Sequence, residues 1–259
     1  MHERWDHGRS VHGYFAHCAV GVLSWTYRFG LPGQFRWENF ATAWSDADMG
    51  RGLGNSALIA VATGAGVAVI AGCAAYALTR LSLPAPGLFI MYLLVAGSLP
   101  IQLFLVPLLS LWTKIGLYDN RFGLIVIYWA VYSPFATLLI RTFLLAIPKD
   151  YEAAARLDGA GEIMVFTRIV FPLIWSGVLT AALVAGLQAY NEFLLAVTFI
   201  QDSTKLPVSV ALFSFQQGLS PNWALVSAAG LIMVLPVLVL FVVLNRRFVE
   251  GYTSSGMSG

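Results

Sequence analysis

Three adjacent polar residues, Tyr190, Asn191 and Glu192, stand out because they fall in a long apolar stretch of the chain. Glu192 is the only acidic residue in any such stretch, and a charge inside hydrocarbon is costly enough to indicate a function. A phenol, an amide and a carboxylate together can hydrogen-bond a polar solute or support a gate. They can equally pair with a polar group of a neighbouring helix, and the sequence leaves both alternatives open.

Gln102 is a second polar residue in an apolar stretch. Its amide is a candidate for binding solute hydroxyls along a translocation path, although interhelical hydrogen bonding is the commoner role of such a residue. We predict no catalytic residue and no metal site. The four N-terminal histidines recur every five residues, a spacing that does not place them on one helical face.

The composition indicates that these groups are positioned by membrane-spanning helices. Of the 259 residues, 58% are hydrophobic and 11% are charged, and the mean hydropathy is +0.75. Soluble domains usually carry about 25% charged residues. The net charge of +2 is too small for a nucleic-acid-binding surface. The sequence therefore predicts an all-α, polytopic membrane protein that contacts lipid.

Hydropathy predicts five clear spans and a weak first one. A span needs about 20 mostly apolar residues, and backbone groups in hydrocarbon require a helix. Residues 11–29 are diluted by polar side chains and form the weak span. We accordingly divide the chain into an N-terminal segment, 1–30, and a transmembrane domain, 31–259. The five clear spans cover residues 55–79, 88–113, 121–141, 173–200 and 223–244.

The stretch between the third and fourth clear spans, residues 147–172, is the most informative part of the chain. Pro148 precedes good helix formers, Gly159 and Gly161 interrupt them, and Pro172 follows a second short segment. The pattern predicts a helix–turn–helix with a small alanine face, suited to a groove on another protein. Placing this loop and the tail, 245–259, in the cytoplasm gives inner loops nine Lys and Arg against six outside, as the positive-inside tendency requires.

This loop resembles the EAA loop of ATP-binding-cassette importer permeases. That pattern is Glu-Ala-Ala, three residues, Gly, nine residues, Ile, one residue and Leu-Pro. Here Gly159, Ile169 and Pro172 keep the spacing. Ala153 stands at the Glu position, with Glu152 one residue earlier, and Phe171 replaces Leu. The resemblance implies that eight residues couple the chain to an ATPase: Glu152, Ala153, Ala154, Ala155, Asp158, Gly159, Ile169 and Pro172.

Three further stretches are similar to carbohydrate importer permeases, especially the maltose-type second subunit. Residues 190–194 resemble a Trp-Asn-Glu-Phe run, with Tyr190 for Trp. Residues 114–120 resemble the family's outer loop, and residues 246–253 its tail. The resemblance implies the fold of a type I importer permease with a cytoplasmic coupling helix, in the bacterial plasma membrane.

The resemblance also implies the partners. The sequence has no Gly-x-x-x-x-Gly-Lys-Ser/Thr loop that could cradle ATP phosphates. ATP and Mg²⁺ would therefore be bound by two ATPase subunits. A second permease chain would complete the translocation path, and an extracytoplasmic binding protein would deliver the substrate, which we expect to be a sugar or oligosaccharide.

Other functions remain as alternatives. The same machinery could import a polyol phosphate such as glycerol phosphate, an amino acid or a peptide. An ion-driven secondary transporter would show an inverted repeat and several intramembrane ionisable residues, and neither is visible in the sequence. A membrane-embedded enzyme would need a reactive constellation, which Glu192 alone does not make.

Overall fold

The computed structural model describes residues 36–216 and 222–255, with side chains described as far as residue 243. The predicted weak span, 11–29, lies outside the described residues. The chain divides into two compact units, Met1–Glu38 and Asn39–Gly259, and the description below concerns the second.

The described part is built from helices, with no strand in residues 36–216 and 222–255. This confirms the all-α prediction. These residues also contain three short 3₁₀ turns: Ile101–Phe104 before α4, Ser203–Lys205 before α10, and Ser214–Gln216 after α10. The helices are α1 (Glu38–Asp46), α2 (Met49–Arg80), α3 (Pro86–Ser98), α4 (Leu105–Lys114), α5 (Arg121–Leu145), α6 (Asp150–Leu157), α7 (Glu162–Leu173), α8 (Trp175–Asn191), α9 (Leu194–Phe199), α10 (Val208–Phe213) and α11 (Trp223–Ser255).

In the part of the chain that the structure describes, three helices are long and apolar enough to cross a membrane: α2, α5 and residues 223–243 of α11. Two bent helix pairs raise the number to five if each pair counts as one span. The predicted first, third and fifth clear spans coincide with single continuous helices, α2, α5 and α11, and all three extend beyond the predicted limits.

The predicted second span is bent near its middle, and the predicted fourth span is bent at its first residues and interrupted near its end. Residues 86–98 and 101–114 meet at an angle of 87°, and residues 162–173 and 175–191 meet at 78°. At the first bend Leu99 has an extended ψ of 128°, because the ring of Pro100 disfavours helical backbone at the preceding residue. The fourth span also ends early: α8 stops at Asn191, and Glu192 and Phe193 separate it from α9.

Small residues let α2 approach α5 and α8 closely. Gly64 of α2 faces the carbonyl oxygen of Ala182 of α8, and an added Cβ would lie 2.7 Å from that oxygen. Gly186 faces the Ala60 carbonyl oxygen in the same way, at 3.0 Å. Small side chains at such crossings permit the van der Waals packing that drives helix association in lipid.

The bundle has two distinct ends. Arg80, the last residue of α2, hydrogen-bonds carbonyl oxygens at the end of α5, so α6 and α7 lie at this end, which we call the loop end. Asn55, near the start of α2, contacts Arg121, the first residue of α5, and residues 204–206. We call this the far end.

Candidate functional site

The loop between α5 and α8 folds as the predicted helix–turn–helix. Asp150 and Glu152 lie in the first turn of α6, where acidic side chains favour a helix N-terminus. Gly159 has a φ of +84°, a left-handed conformation that glycine adopts without steric cost. The Gly159 N–H donates to Arg156 O at 3.1 Å, and the Ala160 N–H donates to Ala155 O at 3.0 Å. These two bonds form a Schellman motif, which ends α6 at Leu157.

This loop presents an exposed apolar surface. The side chain of Leu157 is 90% exposed and that of Ile163 is 82% exposed. Tyr151, Ala153 and Ala154 are exposed beside them on α6. Several exposed apolar side chains on one short loop are typical of a protein–protein contact. We call these five residues the docking surface.

Glu152 is not part of the docking surface. Its side chain is 2% exposed, and its Oε1 lies 2.5 Å from Nε of Arg80. The resemblance grouped Glu152 with residues that would contact an ATPase, but the structure turns its carboxylate into the protein. Ala153, at the position of the family's glutamate, is exposed instead.

A second group of polar contacts joins α6 to α7. Arg156 donates from Nε to Oε1 of Glu162 at 2.9 Å and lies 3.3 Å from Oε2 of Glu152. The hydroxyl of Tyr76, on α2, donates to Glu162 at 2.8 Å. The hydrogen bond to Glu162 raises the pKa of the Arg156 guanidinium above its usual range. The guanidinium therefore stays charged at every physiological pH.

The remaining predicted coupling residues are divided between surface and core. Asp158 and Pro172 are exposed, whereas Ala155 and Ile169 are half-buried. Neighbouring Val165 and Val170 are completely buried in a core shared with α2, α5 and α8. Helix α7 is therefore anchored in the bundle, and Ile174 leads directly into α8.

Glu192 lies in the break between α8 and α9, and not inside a spanning helix as predicted. Its carboxylate accepts hydrogen bonds from the backbone N–H groups of Leu195 and Ala196 at 2.9–3.1 Å. The Tyr128 hydroxyl of α5 donates to Oε2 at 2.8 Å. The carboxylate thus satisfies free amide groups at the start of α9 and ties that helix to α5. These contacts resemble the predicted helix-pairing alternative, with a partner in this same chain.

The other predicted path residues do not form one group with Glu192. The Tyr190 hydroxyl donates to the Met233 carbonyl oxygen of α11 at 2.8 Å. The Asn191 side chain is exposed, and its Nδ2 donates to Leu187 O within α8. Gln102 is exposed on the 3₁₀ turn before α4.

A cavity of about 340 Å³ between α3, α5 and α8 contains a polar residue that the sequence analysis missed. Gln188 lines it, one turn before Asn191, together with Tyr132 and Phe135. An amide and a phenol beside an aromatic ring can bind a hydroxylated solute. Gln188 could have been noticed in the sequence by the same reasoning as Gln102, since it is also an uncharged polar residue in an apolar stretch.

The far end is closed by a network around Asp119, which adopts a φ of 52°. Its Oδ1 accepts the backbone N–H groups of Gln201 and Asp202 at 2.9 and 3.0 Å. The ammonium of Lys205 donates to its Oδ2 at 3.1 Å. Asp202 and Lys205 are thus engaged within the chain.

We expect acid to release residues 201–205 from Asp119. The N–H groups of Asp202 and Gln201, with a smaller contribution from Lys205, lower the pKa of the Asp119 carboxyl. A carboxyl with a lowered folded-state pKa stabilises the fold above its ordinary pKa, and this stabilisation is lost as the pH falls through the lowered value. Hydrogen exchange at Gln201 and Asp202 should therefore speed up, beyond the intrinsic pH effect, as the pH falls below about 4.

Asp119→Ala should give fast exchange of the Gln201 and Asp202 amides at all pH values. Asp119→Asn keeps an oxygen acceptor and tolerates positive φ. In this variant the two amides should stay protected, without the extra acid dependence. Equal pH profiles for wild type and Asp119→Asn would contradict this assignment.

Comparisons with known protein families and structures indicate the same class of protein. Residues 64–253 match the family described as binding-protein-dependent transport system inner membrane component. The fold resembles a chain of a bacterial ATP-binding-cassette transporter involved in importing the acidic polysaccharide alginate. That match has a TM-score of 0.71 and 18% identity and covers 95% of this chain and all of the other.

Two relatives are similar over most of their length. The sulfoquinovosyl glycerol transport system permease protein SmoH of Agrobacterium fabrum is 33% identical over 85% of this chain and 78% of its own. The diacetylchitobiose uptake system permease protein NgcG of Streptomyces coelicolor is 33% identical over 88% of this chain and 76% of its own.

These matches define the class as an inner-membrane permease of ATP-binding-cassette transport systems. The chain belongs to the binding-protein-dependent transport system inner membrane component family. This confirms the resemblance drawn from the EAA loop and the prediction of a polytopic membrane protein.

Proposed function

We propose that the chain is a permease subunit of an ATP-driven importer of sugars or oligosaccharides. Its relatives named above are permeases for carbohydrate-containing substrates. A melibiose, raffinose and stachyose import permease of Bacillus subtilis is also 30% identical over 88% of this chain. The observation that carries the proposal is the docking surface on a rigid helix–turn–helix between two spanning segments.

The coupling mechanism follows from that geometry. Two partner ATPases, which bind ATP and Mg²⁺, would close on nucleotide binding and carry the docked loop with them. Because α7 is anchored in the core and continues into α8, movement of the loop would tilt the spans as rigid bodies. The path would then switch from inward to outward facing, where a binding protein delivers the substrate. A second permease chain would form the other half of the path.

The substrate path would run along the exposed polar side of α8. Gln188 and Asn191 are three residues apart and therefore share a face of the helix. Tyr132 lines the cavity beside Gln188, and Gln102 would contribute from the 3₁₀ turn. The uncharged lining suits hydroxyl groups better than a phosphate or an amino-acid carboxylate, and therefore favours carbohydrate over the other cargoes.

The test is uptake by the purified complex in proteoliposomes, with each of a panel of sugars and a matching binding protein. We expect uptake that requires internal ATP and is unaffected by ionophores. Gln188→Leu should raise the substrate concentration for half-maximal uptake about tenfold, since a lost polar contact costs about 1.4 kcal/mol. The control is Gln201→Leu, which changes an exposed glutamine at the far end. This variant should leave the substrate concentration for half-maximal uptake unchanged. Uptake driven by an ion gradient without ATP would contradict the proposal.

A further inference from the structure

We propose that Arg80 is the positioning residue that transmits movement of the docked loop to α2 and α5, through its buried ion pair with Glu152. This inference rests on the proposed function and goes beyond it. It assigns the coupling to a specific contact inside this chain, the ion pair of Arg80 with Glu152, which we call the joint. This contact is separate from the surface that would touch the ATPase.

The geometry shows one side chain connecting three elements. Arg80 is the last residue of α2, and its Nε lies 2.5 Å from Oε1 of Glu152 on α6. Its Nη2 donates to the carbonyl oxygens of Leu144 and Ile147, at 3.0 and 2.8 Å. These carbonyls lie at the C-terminal end of α5 and in the connector to α6. The planar guanidinium therefore fixes the position of α6 relative to the ends of both α2 and α5.

Burial makes this joint resistant to opening. The Arg80 and Glu152 side chains are 3% and 2% exposed. Separating them would leave the buried Arg80 guanidinium without a carboxylate and the Glu152 carboxylate with only the partly exposed Arg156, 3.3 Å from its Oε2, which is unfavourable. The other pair on the loop, Arg156 with Glu162, has side chains 37% and 50% exposed, and water can replace such contacts at little cost. Of these two ion pairs, the buried one is better suited to hold α6 in place against the spans.

A gain in folding stability does not by itself explain why Arg80 and Glu152 form a buried ion pair. A buried ion pair can often be replaced by apolar residues of similar size with little or no loss of stability. What such a replacement removes is directional bonding. Apolar side chains can slide over one another, whereas the guanidinium donates directional hydrogen bonds to the Leu144 and Ile147 carbonyl oxygens and attracts the Glu152 carboxylate as an ion pair. The arrangement therefore favours a role in fixing geometry during movement.

Helix α6 needs such a noncovalent link to α2 because the two helices are far apart along the chain. Helix α7 reaches the bundle directly, since it continues through Ile174 into α8. Helix α6, which carries Leu157 and most of the docking surface, joins the bundle through the connector at residues 146–149 and the turn at Gly159. Without Arg80, polar contacts from α6 to α2 would run through the more exposed Arg156 and Glu162 to Tyr76, and these two connections would absorb more of the movement of α6.

The test compares Arg80→Met, Glu152→Leu and the double variant with wild type in the reconstituted complex. Each single variant removes the buried partner of the remaining charge, so we expect low yields of assembled complex. The double variant should assemble with the ATPases and hydrolyse ATP as wild type does. Its uptake per ATP hydrolysed should fall about tenfold, within the usual range of coupling between sites. Arg51→Met, on the opposite end of α2 and 54% exposed, is the control and should keep the wild-type ratio.

A measurement on the native pair makes the test independent of variant folding. Spin labels at Lys149→Cys and Ser82→Cys, both exposed, report the distance between the start of α6 and the end of α2, with Cys18 and Cys73 replaced by alanine. We expect this distance to stay the same with and without ATP. A change of about one helical turn, 5 Å or more, or a double variant that keeps wild-type uptake per ATP, would overturn the inference. Absence of ATP-dependent uptake by wild type would instead contradict the proposed function.

Discussion

Gly159→Pro abolishes ATP-dependent uptake if the helix–turn–helix couples transport to the ATPase. Proline fixes φ near −65°, whereas Gly159 has a φ of +84°. It also lacks the N–H that donates to Arg156 O at 3.1 Å. The Schellman motif cannot form, so α6 and α7 lose their relative orientation and the docking surface is broken. We expect ATP hydrolysis by the complex to lose its dependence on the substrate-loaded binding protein.

Two neighbouring glycines provide a matched control. Gly161 has a φ of −74°, and a Cβ added there meets no atom within 4 Å, so Gly161→Ala should transport normally. Uptake by Gly159→Ala should lie between that of Gly159→Pro and that of Gly161→Ala, because an L-residue at positive φ costs about 1–2 kcal/mol. Unchanged uptake by Gly159→Pro would show that the loop does not dock as assigned.

The second large effect is expected at the crossing of α2 and α8. In Gly64→Leu the Cβ would lie 2.7 Å from the Ala182 carbonyl oxygen, and the rest of the side chain would push the helices apart. Overpacking of this kind costs about 1–3 kcal/mol, and we expect a lower melting temperature in detergent and less assembled complex. Gly72→Ala in the same helix meets no atom within 4 Å and should melt as wild type does. Equal melting temperatures for the two variants would contradict the close crossing.

The sequence predicted the helical spans and the turn at Gly159 because both depend on local properties. Hydropathy over about 20 residues locates a span, and glycine spacing locates a helix end. The bend at Pro100 was also within reach, since the residue before a proline is disfavoured in a helix. Hydropathy averages over such interruptions, which is why residues 88–113 were predicted as one span without a bend being noted.

The partners of the polar residues could not be predicted in the same way. Glu152 faces Arg80, which is 72 positions earlier in the chain, and Glu192 receives the Tyr128 hydroxyl from another helix. Nothing in the local pattern distinguishes an acidic residue that points outward to a partner from one that points inward to an arginine. The EAA spacing predicted where the loop lies, whereas the helix packing determines which of its side chains are exposed.

The central claim, that the docking surface contacts an ATPase subunit in the cytoplasm, is tested most directly by site-specific crosslinking. A photoreactive residue would replace Leu157, which is 90% exposed, and a second variant would carry it at Gln201, at the far end, in the assembled complex. We predict that the probe at position 157 crosslinks to the ATPase with a yield that changes when ATP binds, and that the probe at position 201 does not. The account would be contradicted if the probe at position 157 labels no ATPase. It would also be contradicted if position 157 proves accessible only from outside the cell.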